Sequence, residues 1–348
     1  MVRKTGKMDS VTFASKRDPC ESFFKKVMSM FQASRQAQNV GVTMSINMPG
    51  GGYTKDPEKP YVNGHSNGIQ TLHVKTDAPL LKKIDPVTLE PHGVASQQIL
   101  HPDLNGELSA AHAKSDPETG DIYNFNLKLG LTSTYRVFHT SAATGETGII
   151  AAFPAKGAYL HSLFLTEDYV VVCVWNSHIS WAGIPIMYNK NVVDAIAPFD
   201  PNGKASWYVV DRREGKGLVA TYESIPFFAF HTINAWEEPS TTDPSKRDIV
   251  TELSMYENTD TINRYFYDNL ISSVAGPEYA GAKRLKCMPM HAQFRLASVD
   301  AVKSPTTALP AELLFQADKM ISMELPTINP TYFTRRHRYT YGLSLVHI

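Results

Sequence analysis

Three histidines carry the most specific chemical signal in this chain. His112 in "LSAAHAKSDPETGD", His161 in "AYLHSLFLTEDYVVV" and His231 in "PFFAFHTINAWEE" each lie directly beside small or apolar residues, at the edge of an apolar run. An imidazole in such surroundings must satisfy both ring nitrogens, and coordinating a cation is one way to satisfy one of them. For any one of them alone, a hydrogen-bonded core residue is the commoner outcome, so the signal lies in the three acting together. Separations of 49 and 70 residues are too wide for two histidines on one helix turn. The three can meet only if each comes from a different supersecondary unit.

The elements that would have to bring them together read as strands. Short β-branched or aromatic runs, "DIYNFNLKL", "YRVFHTS", "YVVVCVW" and "ASWYVVDRR", alternate with Asp, Asn, Pro and Gly clusters. Three of the separators have the form of one tight turn: "IDPVTLEP" at 84–91, "SDPETGDI" at 115–122 and "SAATGETG" at 141–148. In each, Asp or Ser opens the turn and Pro or Ala follows, and two of the three carry a Gly where positive φ is easy. Hairpins recurring every few dozen residues predict an all-β chain, with a β-propeller as the leading architecture and a sandwich or β-helix as alternatives. A propeller also supplies the convergence, because the inner strand of every blade lines one axis. The single amphipathic helix expected is "CESFFKKVMSMFQ" at 20–32. Residues 47–68 and 237–248 read as loops, with strand-like sequence on both sides, so 1–348 is expected to form one domain.

Composition removes several function classes. Lys plus Arg and Asp plus Glu number 34 each, so no global field favours nucleic acid. Three scattered cysteines make neither a disulfide framework nor a thiolate zinc site and favour a reducing, cytoplasmic setting. The longest apolar stretch is far short of the ~20 residues of a membrane span, which leaves peripheral membrane contact open. No Ser/His/Asp or paired-carboxylate arrangement and no phosphate-cradling glycine loop is present.

"LSAAHAKSDPETGDIYNF", "YLHSLFLTEDYVVV", "PFFAFHTINAWEE" and "MELPTINPTYFTRRHRYTYG", in that order, resemble the signatures of the carotenoid cleavage oxygenase family. The wording of "TFASKRDPCESFFKKVMSMF" and "HTINAWEEPSTTDPSK" is similar to the fungal branch that includes torulene dioxygenase. The resemblance implies a seven-bladed propeller with a non-haem Fe(II) on its axis, held by four histidines. His112, His161 and His231 fall on the first three. It further implies outer carboxylates behind the ligands, placing Glu324 of "MELPTINP" at one such position and, by a looser match, Asp77 of "VKTDAPLLKKIDP" at another.

The implied reaction is cleavage of a conjugated C=C bond of an apolar polyene by O₂, giving two carbonyl products. The fourth histidine of the family lies well beyond the "RYTYG" motif; His347 is too close to that motif to match, and His337 is expected at the surface. Members are commonly longer at both ends, so an incomplete propeller is expected here. Three alternatives accompany this reading: a stilbene-cleaving enzyme, for which Lys75 lies near the phenol-gripping position; an inactive propeller remnant; and, well behind, a zinc hydrolase.

Overall fold

A computed structural model gives the fold of residues 22–30, 42–50, 69, 71–189, 191–266, 269, 287–321 and 323–344. Among the described residues, four antiparallel meanders, termed sheets, follow one another along the chain. The first contains β1 (Thr43–Ile46), β2 (Leu72–Lys75), β3 (Leu80–Ile84) and β4 (Pro91–Ser96), in that order. The second pairs two short inner pieces, β5 (Leu108–Ser109) and β6 (Lys114–Ser115), with β7 (Ile122–Lys128), followed by β8 (Ser133–Thr140) and β9 (Thr147–Ala155). The third runs β10 (Phe164–Leu165), β11 (Tyr169–Val174), β12 (Ala205–Asp211) and β13 (Leu218–Ser224). The fourth runs β14 (Phe228–Pro239), β15 (Arg247–Tyr256), β16 (Met290–Leu296) and β17 (Ala308–Gln316). A parallel contact between β13 and β17 joins the last two sheets, and β18 (Glu324–Thr327) pairs with β19 (Tyr341–Leu343). Each meander keeps its first strand at one edge, the order of a propeller blade, so the expected architecture is the one observed.

The four runs read as strands become β7, β8, β11 and β12. β11, "YVVVCV", is buried at every position, as a continuous apolar run in mid-sheet requires. Aromatic rings weld the third sheet to the fourth: Trp207 of β12 packs on Phe294 of β16 with centroids 5.1 Å apart, and Phe227 lies 5.4 Å from Phe294. The segment 237–248 is the hairpin between β14 and β15.

Helix α1 (Phe23–Met30) falls within the expected amphipathic stretch, whose outer residues lie outside the described ones, as does most of 47–68. Its apolar side does not enter the core: Phe23, Phe24 and Met28 are exposed. It packs instead against α2 (Ile184–Asn189), where Ile184 and Met187 are exposed next to Trp181.

The three related separators are three copies of one hairpin turn. Asp85, Asp116 and Ser141 each open it, accepting side-chain hydrogen bonds from backbone N–H groups two or three residues on. The opening carbonyl then accepts from the N–H of Leu89, Gly120 or Gly145, at 2.8–2.9 Å. All three residues at that position have positive φ: 59° at Leu89, 77° at Gly120 and 74° at Gly145. Leu89 therefore adopts a left-handed conformation that costs an L side chain about 1–2 kcal/mol, while its exposed side chain recovers little from burial. Leu89→Gly should raise stability by roughly 0.5–1 kcal/mol in urea melts, and Gly120→Ala should lower it by a similar amount.

Candidate metal centre

His112 lies between β5 and β6, His161 just before β10, and His231 on β14, so each comes from the inner edge of a different sheet. Backbone and hydroxyl groups tie these edges together. The His112 N–H donates to the His161 carbonyl at 3.2 Å, within an isolated parallel bridge between His112 and Ser162. The Ser162 hydroxyl donates to the Phe230 carbonyl at 2.8 Å and accepts from the Thr232 N–H at 2.9 Å. The Thr232 hydroxyl in turn donates to the Leu163 carbonyl at 2.8 Å. The β14–β15 register shifts on both sides of Thr232, and a bulge of this kind re-aims the neighbouring side chain, here His231.

The result is a compact cluster. Ring centroids of His112 lie 4.7 Å from His161 and 4.9 Å from His231, and His161 lies 5.1 Å from His231. One nitrogen from each ring falls within 4.8 Å of the others. Among the described residues no fourth imidazole or acidic group joins them.

The expected outer carboxylates stand behind two of the rings. His161 Nδ1 donates to Asp77 Oδ1 at 2.7 Å, and His231 Nδ1 donates to Glu324 Oε2 at 2.6 Å. Each carboxylate thereby fixes its histidine's tautomer, leaving the lone pair on Nε2. Glu324 is buried on β18, and Asp77 sits in the β2–β3 turn where its carbonyl also accepts from the Ser109 N–H. Among the described residues the third ring has no carboxylate partner, and His112 Nε2 is buried with no hydrogen-bond partner. Burial, followed by the charges of His161 and His231, pushes the His112 pKa down to about 2, so the ring is a neutral donor at ordinary pH. An orphaned nitrogen aimed at two others with free lone pairs fits a divalent transition metal, for which imidazole is a suitable ligand.

A cluster of largely buried aromatic rings packs beside His161. Phe230 lies 5.8 Å from the His161 ring and touches Tyr159, Phe228, Tyr256 and Tyr265. Phe164, Trp175, Phe227 and Phe228 are fully buried core residues, and Trp236 packs on His337. A cavity of about 490 Å³ reaches His112 and His231 past Lys114, Ser162, Thr232 and Phe333. Lys75 is buried on β2, and that burial lowers its pKa to about 8.

One expectation fails. His337 is not at the surface: its side chain is 4% exposed, with Nε2 at 3.0 Å from Glu252 and 2.9 Å from the Thr340 hydroxyl. The basic loop folds back over β14 because the Asn234 side chain donates to the carbonyls of Tyr332 and Arg335 and accepts from the Thr334 N–H. Residues unnoticed in the sequence include Ser162, Tyr159 and Tyr256. Tyr159 had a readable signal, since it precedes His161 by two in an extended segment and shares its side. Tyr256 had none.

Comparison with known proteins gives this geometry its lineage. The profile of the family described as retinal pigment epithelial membrane protein, RPE65, matches residues 5–347. A carotenoid dioxygenase of Neurospora crassa is 36% identical over 99% of this chain and 61% of its own length, and a torulene dioxygenase of Fusarium fujikuroi is 36% identical over 99% and 62%. Among solved structures, the cobalt-substituted apocarotenoid oxygenase of Synechocystis superposes with a TM-score of 0.62 at 18% identity, over 99% of this chain and 61% of that one. The chain thus spans about three fifths of the length of the relatives it matches. With its profile matched almost end to end and its blades ordered as the sequence motifs implied, this chain belongs to the RPE65 family, that of the carotenoid oxygenases.

Proposed function

We propose that this chain is part of a non-haem Fe(II) dioxygenase that cleaves a conjugated C=C bond of a torulene-like carotenoid with O₂. The observation that carries this is the convergence of His112, His161 and His231, one nitrogen each within 4.8 Å of the others. We read the three as iron ligands, with Asp77 and Glu324 as the carboxylates that orient two of them. Two carboxylates would also balance a divalent cation held by neutral imidazoles, which lowers the cost of burying its charge. The cobalt-substituted state of the Synechocystis relative supports a divalent metal in this fold. Residues 1–348 are read as belonging to one propeller domain; among the described residues, one core runs from Leu108 to Val299 through the last three sheets, and a smaller cluster of Met48, Leu81 and Ile122 joins the first sheet to the second.

The chemistry asks little of amino-acid acids and bases. Adding O₂ across a C=C bond and breaking it gives two C=O groups with no proton gained or lost. A ferrous ion held by the three imidazoles would supply the activation of dioxygen beside the alkene. The protein's own groups do the rest. The carboxylate-backed imidazoles hold fixed tautomers, and Ile233, Leu325, Ile328 and Phe333 give the cavity that reaches His112 and His231 apolar walls suited to a polyene that offers few polar handles.

The activity is tested with one Fe(II)-loaded preparation offered torulene, β-carotene and resveratrol. Aldehyde products from a carotenoid with matching O₂ uptake are expected, and both should vanish in His112→Ala or on replacing Fe(II) by Zn(II). Turnover of resveratrol alone would move the assignment to stilbenes, and a folded protein that takes up no Fe(II) would leave a non-catalytic propeller.

Lys75 gives a separate readout. Its folded pKa of about 8 lies below the ordinary 10.5, so between those values the unfolded chain binds more protons and stability rises with pH. Lys75→Met should add up to about 3 kcal/mol at pH 7, a gain that fades as pH climbs from 8 past 10 in chemical denaturation.

Among the described residues no helix is long and apolar enough to cross a membrane. The exposed Phe23, Phe24, Trp181, Ile184 and Met187 on and beside the paired helices support peripheral contact with a lipid surface, from which an apolar substrate would be drawn. Phe24→Glu with Trp181→Glu should cut co-sedimentation with phosphatidylcholine vesicles several-fold without changing the thermal midpoint.

A further inference from the structure

The two carboxylates behind the histidines are held in the same way. Asp77 Oδ1 accepts from His161 Nδ1 at 2.7 Å and from the Ala111 N–H at 3.2 Å, while Oδ2 accepts from the Tyr159 hydroxyl at 2.8 Å. Glu324 Oε2 accepts from His231 Nδ1 at 2.6 Å and from the Leu325 N–H at 2.7 Å, while Oε1 accepts from the Tyr256 hydroxyl at 2.8 Å. In both cases one oxygen takes a histidine and a backbone amide, and the other takes a tyrosine.

The partners come from unrelated places. Tyr159 lies two residues before His161, 82 positions from Asp77; Tyr256 ends β15 across from Phe228, 68 positions from Glu324. Nothing in strand pairing demands that both carboxylates end under a phenol. Both tyrosines are almost wholly buried, at 2% and 1% exposure, so neither hydroxyl serves solvent. The backbone around them is also committed: Leu325 takes a φ of 49°, which turns its N–H back onto Glu324.

From this we infer that Tyr159 and Tyr256 are positioning residues for the metal centre, each fixing a carboxylate's plane and, through it, the aim of His161 or His231. Without the phenol, one carboxylate oxygen loses its hydrogen-bond donor, and the carboxylate swings to find another. Its histidine then loses its fixed direction. Outer partners of metal ligands typically change affinity 10–100-fold when removed, and a hydroxyl one step further out sits at the lower end of that range. Tyr159 carries an added element, since its hydroxyl also stands 3.2 Å from His161 Nδ1 and can receive that N–H if Asp77 moves.

This inference rests on the proposed metal site, and the test separates the two. Co(II) affinity of the metal-free protein is measured by chelator competition, with the visible Co(II) spectrum recorded for wild type, Tyr159→Phe, Tyr256→Phe, the double variant and Asp77→Asn. Phe keeps each ring in place, so the midpoint of metal-free unfolding should move little. Each single variant should bind Co(II) about tenfold more weakly, with an altered d–d band, and the double variant should lose close to the product of the two. Affinities within twofold of wild type and an unchanged spectrum in both tyrosine variants, beside a clear loss in Asp77→Asn, would overturn the positioning role while leaving the metal site standing. A wild type that binds no Co(II) would remove the site itself. Should one variant unfold, Tyr→2-fluorotyrosine at the same position, which retains the hydroxyl, must restore wild-type affinity.

Discussion

The centre of this molecule depends on a few hydrogen bonds between the inner edges of neighbouring sheets. Ser162 links the segment of His161 to that of His231 through the Phe230 carbonyl and the Thr232 amide, and the His112 amide closes the third side on the His161 carbonyl. Inner strands of a propeller have free edges facing one another, and buried edge groups must find partners. Here they find each other. That requirement sets how near the histidines approach, while the irregular register of β14 sets where His231 points.

A buried cluster of imidazoles is not stable on hydrophobic grounds. Its neighbours in the first sheet and in β18 supply what the histidine-bearing strands cannot, a carboxylate for each of two rings. The site is therefore assembled from all four sheets and β18: Asp77 from the first, His112 from the second, His161 from the start of the third, His231 from the fourth. Each sheet has its own hairpins, and the histidines and carboxylates meet where the sheets meet. The aromatic weld of Trp207, Phe227 and Phe294 holds the third and fourth sheets in the relation the cluster needs.

Much of the fold was legible because its signals are local. The turns opened by Asp85, Asp116 and Ser141 are recognisable from side chains that bond to backbone two or three residues on, and Leu89 shows that the turn forms even where Gly is missing. The all-buried "YVVVCV" and the alternation of β8 are equally local. The outward face of α1 was not legible, because an amphipathic pattern says that one side is apolar without saying what covers it. His337 was misread for a related reason: basic neighbours suggest solvent, yet Asn234, far back in the chain, draws the loop inward.

The site divides in the same way. His112, His161 and His231 were singled out as candidates by motif order, their apolar contexts alone carrying little weight, and Glu324 by its motif, while Asp77 was only loosely placed. What the residues themselves determine is the kind of chemistry: neutral nitrogen donors in apolar strands, and no positioned acid or base. Tertiary structure alone decided that one nitrogen from each of the three rings lies within 4.8 Å of the others, that Asp77 reaches His161, and that a tyrosine stands behind each carboxylate. The physical reason is range: turn chemistry and strand periodicity act over a few residues, whereas the carboxylate contacts join positions 68 to 93 apart and the histidines stand at least 49 apart, where only the packing of whole sheets fixes the distance.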